Sequence, residues 1–306
     1  MRQIVSVFGK TFTDLSNPKI LVAYFAPFLV VSWFFGLIYG DNELTDAAAP
    51  LAQQEIELFS AYLTISFFWV GLWLLALTAV LSANTLARET EKGTLKILLS
   101  KPISRWQVLL GNYAAVVAYA SLVGLASLLV WASLLIVMSD LSSAAIPEGI
   151  FAALPGAFAY LVFAVAVVAA VGLVLSLVTK SRLQTALSTL VVPILFFAFW
   201  VIRLFIDDTY EDFHLYLFDM NYQFGNAFVF INELVGGEFA VETETVLSVF
   251  SGVYEVPEEG PDLDQQLPES LELVGHLSPE VSVVLLSVVA VVSLAGAVYL
   301  FETMDI

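Results

Sequence analysis

Six stretches of this chain, at about 20–40, 60–83, 108–137, 151–179, 185–206 and 281–301, are each apolar for the length that a bilayer crossing requires. A hydrocarbon core about 30 Å thick takes about 20 helical residues to traverse. It offers no water to a bare amide, so the backbone must satisfy itself within each segment. The expected fold is therefore an all-α membrane protein of six transmembrane helices, with both termini on one side. Composition agrees: 59% hydrophobic residues and a mean hydropathy of +0.89 lie far above the roughly 45–50% apolar content of soluble domains. The first run follows Arg2, Lys10 and Lys19 but precedes no small-residue cleavage pattern, and reads as a retained helix rather than a leader.

Charge sets the orientation. Ten of the eleven Lys and Arg residues fall in the N-terminal segment, the loop after the second run and the loop after the fourth. The alternate loops, 41–58, 138–150 and 207–280, have no basic residue and hold 24 of the 29 acids. Short loops rich in Lys and Arg stay cytoplasmic, which puts both termini inside and a long loop outside before the last helix. The exception, Arg203, closes the fifth run, where Asp207 and Asp208 offer partners one turn on. Four regions follow: an interfacial helix at 1–19, a five-helix region at 20–206 with a cytoplasmic segment at 84–107, an acidic outer loop at 207–280, and the last helix and tail at 281–306.

Residues 88–107, RETEKGTLKILLSKPISRWQ, hold five of the basic residues. Positive-inside topology accounts for those cations but not for the order within the segment. Gly93 and Pro102 punctuate it, and Leu95, Leu98 and Leu99 make an apolar stripe at helical spacing. Such a surface helix needs a cover, either lipid headgroups or a partner protein. Glu89 and Lys92 are spaced to pair along it, worth only about 0.2–0.5 kcal/mol. Ile4, Phe8, Phe12 and Leu15 similarly give the N-terminal segment one apolar face, ended by Asn17-Pro18, which should lie on the inner leaflet.

The run Glu89-x-Glu91-x-Gly93-Thr94-Leu95-x-x-Leu98-Leu99-Ser100-x-Pro102-Ile103-Ser104-Arg105, between the second and third spans, resembles the permease subunits of ATP-binding-cassette transporters of the second exporter class. The six spans, the amphipathic lead, the long outer loop and the ending YLFETMDI extend the resemblance over most of the chain. Thr303 and Met304 depart from it, since members often carry basic residues there. The resemblance implies that Glu89, Glu91, Gly93, Thr94, Leu95, Leu98, Leu99, Pro102 and Arg105 form a coupling element docked on a separate cytoplasmic ATPase. In it glycine and proline set the bends, Glu89 orients the segment and Leu98 is the apolar plug. It further implies export and pairing of two permeases, as a homodimer or heterodimer, with two ATPases, in the plasma membrane of a prokaryote.

No Walker-type G-x-x-x-x-G-K-[ST] occurs, so this chain is not expected to be an enzyme or to hold a cofactor; ATP and Mg would be bound by the partner. The same amphipathic loop also suits a non-transport scaffold that recruits a cytoplasmic protein. No nucleic-acid partner is expected. The third, fourth and sixth runs lack charged residues over their apolar cores, which argues against ion coupling. Aromatic residues Phe67, Trp73, Phe197 and Trp200 are candidates to line a path for hydrophobic cargo, or to pack between helices. Small residues Gly111, Ala115, Ala166 and Ala170 suit close helix packing, within the chain more readily than between chains.

In the outer loop, residues 225–237 are expected to form a short amphipathic helix at the membrane interface. Asp262 and Asp264 lack the remaining ligands of a calcium loop and read as solvated acid. The absence of cysteine and the separation of His214 and His276 give no support to a copper site. A net charge of −18, borne mainly outside, suits a hydrated coat under strong salt screening, as in a halophilic archaeon.

Overall fold

A computed structural model describes residues 2–41, 49–94, 103–139, 141–205, 207–237, 239–255 and 270–304. Six helical runs in it are long and apolar enough to cross a membrane. The amphipathic α1 (Arg2–Leu15) turns through Asn17, whose side-chain oxygen accepts the Lys19 amide at 3.0 Å, into α2 (Pro18–Asp41). Pro18 at the first helical position gives up an amide that would lack a partner anyway.

The second run extends from Leu51 to Glu91, 41 residues or about 60 Å at 1.5 Å each, twice the thickness of a hydrocarbon core. It comprises α3 (Leu51–Ile65), a π-helical stretch Ser66–Gly71, α4 (Leu72–Ala83) and, after a turn at Asn84-Thr85, α5 (Leu86–Glu91). Residues 51–58, read from sequence as loop, are helical. Gln54 is buried there, donating to the Ala49 carbonyl at 2.9 Å and accepting the Ser142 amide at 2.8 Å, so a polar stretch is held against the neighbouring loop.

Third comes α6 (Arg105–Met138), then a 3-10 turn Ser143–Ala145, a π turn Pro147–Phe151 and α7 (Leu154–Thr179). The fifth run is α8 (Arg182–Phe205) and the sixth is α12 (Pro279–Thr303). Between them lie α9 (Asp207–Asp212), α10 (Met220–Leu234) and α11 (Val241–Ser251). The loop after α11 is closed by one bridge, Tyr254 with Leu273.

Helix α7 is the hub, touching α4, α6, α8, α10 and α12. Gly172 lets α4 approach it, since a Cβ there would lie 2.6 Å from Ser82 Cβ. The second and fourth spans are 61% buried, against 22%, 19% and 17% for the first, fifth and last. Those three therefore turn most of their apolar surface outward, as helices bathed in lipid do.

Residues 207–237, 239–255 and 270–280 of the segment between the fifth and sixth spans are described. Helix α10 begins five residues before the anticipated 225, and Phe224, Ala227, Phe228 and Val229 are fully buried together with Asn221, Gln223 and Asn226. It is wedged against α7, α8 and α12. Asp262 and Asp264 lie outside the described residues.

Candidate functional site

The 84–107 segment is described on both flanks, 84–94 and 103–107; Leu95, Leu98, Leu99 and Pro102 lie outside the described residues. Helix α5 buries its own first two residues, Leu86 and Ala87. It ends in a glycine cap: Gly93, at φ +68°, donates to the Thr90 carbonyl at 3.0 Å, and the Thr94 amide donates to the Glu89 carbonyl at 3.0 Å. This left-handed closure satisfies orphan carbonyls and favours glycine at position 93. The Thr94 hydroxyl then bonds the Glu89 carboxylate. Three positions of the sequence motif, Glu89, Gly93 and Thr94, are thus one helix stop.

The Glu89 carboxylate also meets Lys10 Nζ at 3.2 Å, tying α1 to the segment in place of the anticipated pairing along it with Lys92. Both side chains are partly exposed, so the pair contributes at most about 1 kcal/mol and serves mainly to set geometry. Glu91 accepts the Arg182 amide in a long contact of 3.4 Å, placing a carboxylate at the amino end of α8, where the helix dipole favours it.

On the far flank, Ser104 and Gln107 form a reciprocal capping box that starts α6. Arg105 stands at the first helical position, where a cation opposes the dipole by roughly 0.3–1 kcal/mol. Its compensation is tertiary: Nη1 lies 2.7, 3.0 and 2.8 Å from the carbonyl oxygens of Phe301, Glu302 and Met304. Those carbonyls end α12, whose last turn has no basic residue of its own. The cation absent from the tail is supplied by Arg105.

Helix α1 lies along α6. A Cβ at Gly111 would stand 2.8 Å from Val7 Cγ1 and 3.2 Å from the Ile4 carbonyl, so glycine there permits the contact. Beside it Thr11 donates to Asn112 Oδ1 at 3.0 Å in a buried bond. Phe12 meets the edge of Tyr119 at 5.4 Å. The apolar face anticipated on α1 is therefore directed at least partly into the protein. Val7, Leu86, Val108, Leu109, Leu173, Leu177, Ala297 and Phe301 complete a buried layer that joins α1, α5, α6, α7 and α12 at this end. Lys10, Thr11, Gly111 and Asn112 were not singled out as parts of the site; the signal for them was a small residue followed by a polar one within an apolar run.

Phe67, Trp73 and Trp200 are each described with their own ring partners. Phe67 is 3% exposed and packs with Tyr160 and Phe228, centroids 5.7 and 5.0 Å away. Trp73 stacks on Trp69 at 5.2 Å and donates to the Tyr24 carbonyl at 3.1 Å, holding α2. Trp200 stacks on Phe250 at 5.6 Å. The Phe197 side chain lies outside those described. Ring contacts through Phe68 and Phe250 link Phe67 to Trp200, and all three side chains pack between helices.

At the other end of the molecule, Arg203 pairs with Asp219 at 2.9 Å and also donates to the carbonyls of Phe250, at 2.6 Å, and Ser251; the side chains of Asp207 and Asp208 lie outside those described. Asp219 is fully buried, caps α10 through the amides of Asn221 and Tyr222 at 2.8 and 3.0 Å, and accepts from Tyr210 at 2.9 Å. Burial pushes its carboxyl above the usual range, while Arg203 pulls in the opposite direction. The Tyr210 phenol is pushed far up, by burial first and by the Asp219 charge second. Among the described residues no group of three or more His, Asp or Glu side chains is placed to hold a metal ion.

Comparison with known proteins gives one finding and one absence. A family model described as ABC-2 family transporter protein matches residues 7–306. No curated protein matches the chain significantly.

Proposed function

From the premise that this chain belongs to the ABC-2 family of transporters and is a multi-pass permease, we propose that it forms the membrane half of an ATP-driven exporter. In this reading a separate cytoplasmic ATPase docks on the 84–107 segment, and both termini lie on the same side as that ATPase. ATP and Mg belong to the partner. The apolar interiors of the spans suit a hydrophobic cargo that moves without a coupling ion. Two permeases, alike or different, are assigned to each complex by family likeness alone.

The observation that carries the reading is the frame around residues 95–102. A glycine cap ends α5 before this stretch and a capping box opens α6 after it. Lys10 anchors one flank and Arg105 the other. A short segment fixed at both ends transmits force from a docked partner into the helices, where a slack loop would absorb it. Leu98 is the plug expected from the sequence stripe.

Purification of the tagged chain from its native membrane in mild detergent, followed by an assay of ATP hydrolysis, tests the proposal. An ATPase should accompany the unmutated chain and be lost from Leu98→Asp, while the variant stays folded. Well-folded unmutated protein with no accompanying ATPase would overturn the reading.

A further inference from the structure

Both ends of the Arg105 contact break a local rule. Arg105 puts a cation at the start of α6, and Glu302 puts an acid in the last turn of α12. Each is unfavourable on its own helix. The placement is consistent only when the two ends are joined: one guanidinium nitrogen within 3.0 Å of three carbonyls, from Phe301, Glu302 and Met304. Local rules broken in this way mark a tertiary task.

Helix α12 is a continuous run of 25 residues, about 37 Å long, with no proline inside it to kink it. Its inner end is fixed by Arg105 and by Phe301, fully buried against the layer that contains Leu86 and Val108. Its outer end is fixed to α10: Asn226 donates to Ser282 Oγ at 3.0 Å, and the Tyr222 hydroxyl lies 3.1 Å from the Leu277 amide and 3.2 Å from the carbonyls of Val274 and Leu277. Helix α10 is the buried wedge of the outer subdomain, and Asp219 at its amino end is locked to Arg203. A chain of charge-assisted and buried contacts therefore runs from the 84–107 segment to the opposite end of the molecule.

We propose that Arg105 is a positioning residue that makes the last span follow the 84–107 segment, so that displacement of the segment is carried along α12 to α10. This rests on the docking reading above, with which it shares the origin of the displacement. The guanidinium is not assigned to the ATPase surface, because its hydrogen bonds are directed into the chain. Arg105→Gln should therefore lose the movement at the outer end, with the bound ATPase measured in the same preparation.

The chain has no cysteine, so a pair of introduced thiols can be labelled without background. Leu37 on α2, 40% exposed, and Val281 on α12, 42% exposed, are suitable sites. Spin labels at Leu37→Cys and Val281→Cys in the permease–ATPase complex should change separation when ATP and vanadate are added. In preparations matched for bound ATPase, that change should vanish in Arg105→Gln and return in large part in Arg105→Lys. An undiminished change in Arg105→Gln overturns the proposal, as does loss of the ATPase itself, which would place Arg105 in the docking surface.

A second measurement needs no partner. In the isolated chain, Arg105→Gln should raise hydrogen exchange in the last turn of α12 and also in α10. An effect confined to the start of α6 overturns the proposal. Failure of the docking reading would instead show as absence of the ATPase from the unmutated chain.

Discussion

Asp219 and Arg203 are the one ion pair among the described residues in which both partners are largely withdrawn from water. Removing one partner of such a pair leaves an uncompensated charge and costs about 3–5 kcal/mol. Asp219→Asn should therefore loosen the packing around α10, read as faster hydrogen exchange across 207–255 with the α5 end of the molecule unchanged. At Gly93 the backbone is left-handed, a conformation that costs an L-residue roughly 1–2 kcal/mol. Gly93→Ala should fray the end of α5 and release Glu89 from Thr94, measured as raised exchange at residues 89–94. Gly93 was legible as a bend because glycine punctuates an otherwise helical pattern. The pairing of Arg203 with Asp219 was not legible, because the chain folds back to present a carboxylate from sixteen positions away.

Among the elements, the apolar cores of the spans were readable because a bilayer demands length and hydrophobicity and little else. Their extensions were not. Residues 51–58 are too polar for a membrane run, and they are helical because Gln54 finds its partners in the neighbouring loop. The burial of α10 was not legible because its sequence mixes polar and aromatic residues; tertiary partners such as Ser282 for Asn226 allow those polar groups to be buried. The contact of α1 with α6 depends on the space at Gly111. Gly111→Val should overpack this contact by about 1–3 kcal/mol and lift α1, seen as increased exchange over residues 2–15. Unchanged exchange there would mean that α1 is held from elsewhere.

For the whole molecule, the sequence rule of positive loops predicts an orientation that can be measured. Single cysteines introduced at exposed Phe213 and Val249 should react with an impermeant reagent added to intact cells, whereas one at Val5 should react only after the membrane is opened. The acidic outer loops give a second expectation. Raising salt shortens the screening length from about 10 Å at 0.1 M to about 3 Å at 1 M. Thermal stability of the purified chain should therefore rise with potassium chloride, and a flat response would show that the outer acids do not repel one another appreciably.

The central claim is that residues 95–102, framed by the α5 cap and the α6 capping box, are where the ATPase sits. A photo-crosslinking amino acid placed at Leu98, with a control at Val137 near the opposite end of α6, tests it most directly. The account predicts an adduct with the ATPase from position 98, strengthened by ATP, and none from position 137. An adduct from position 137, or none from position 98 in a complex that hydrolyses ATP, would contradict it.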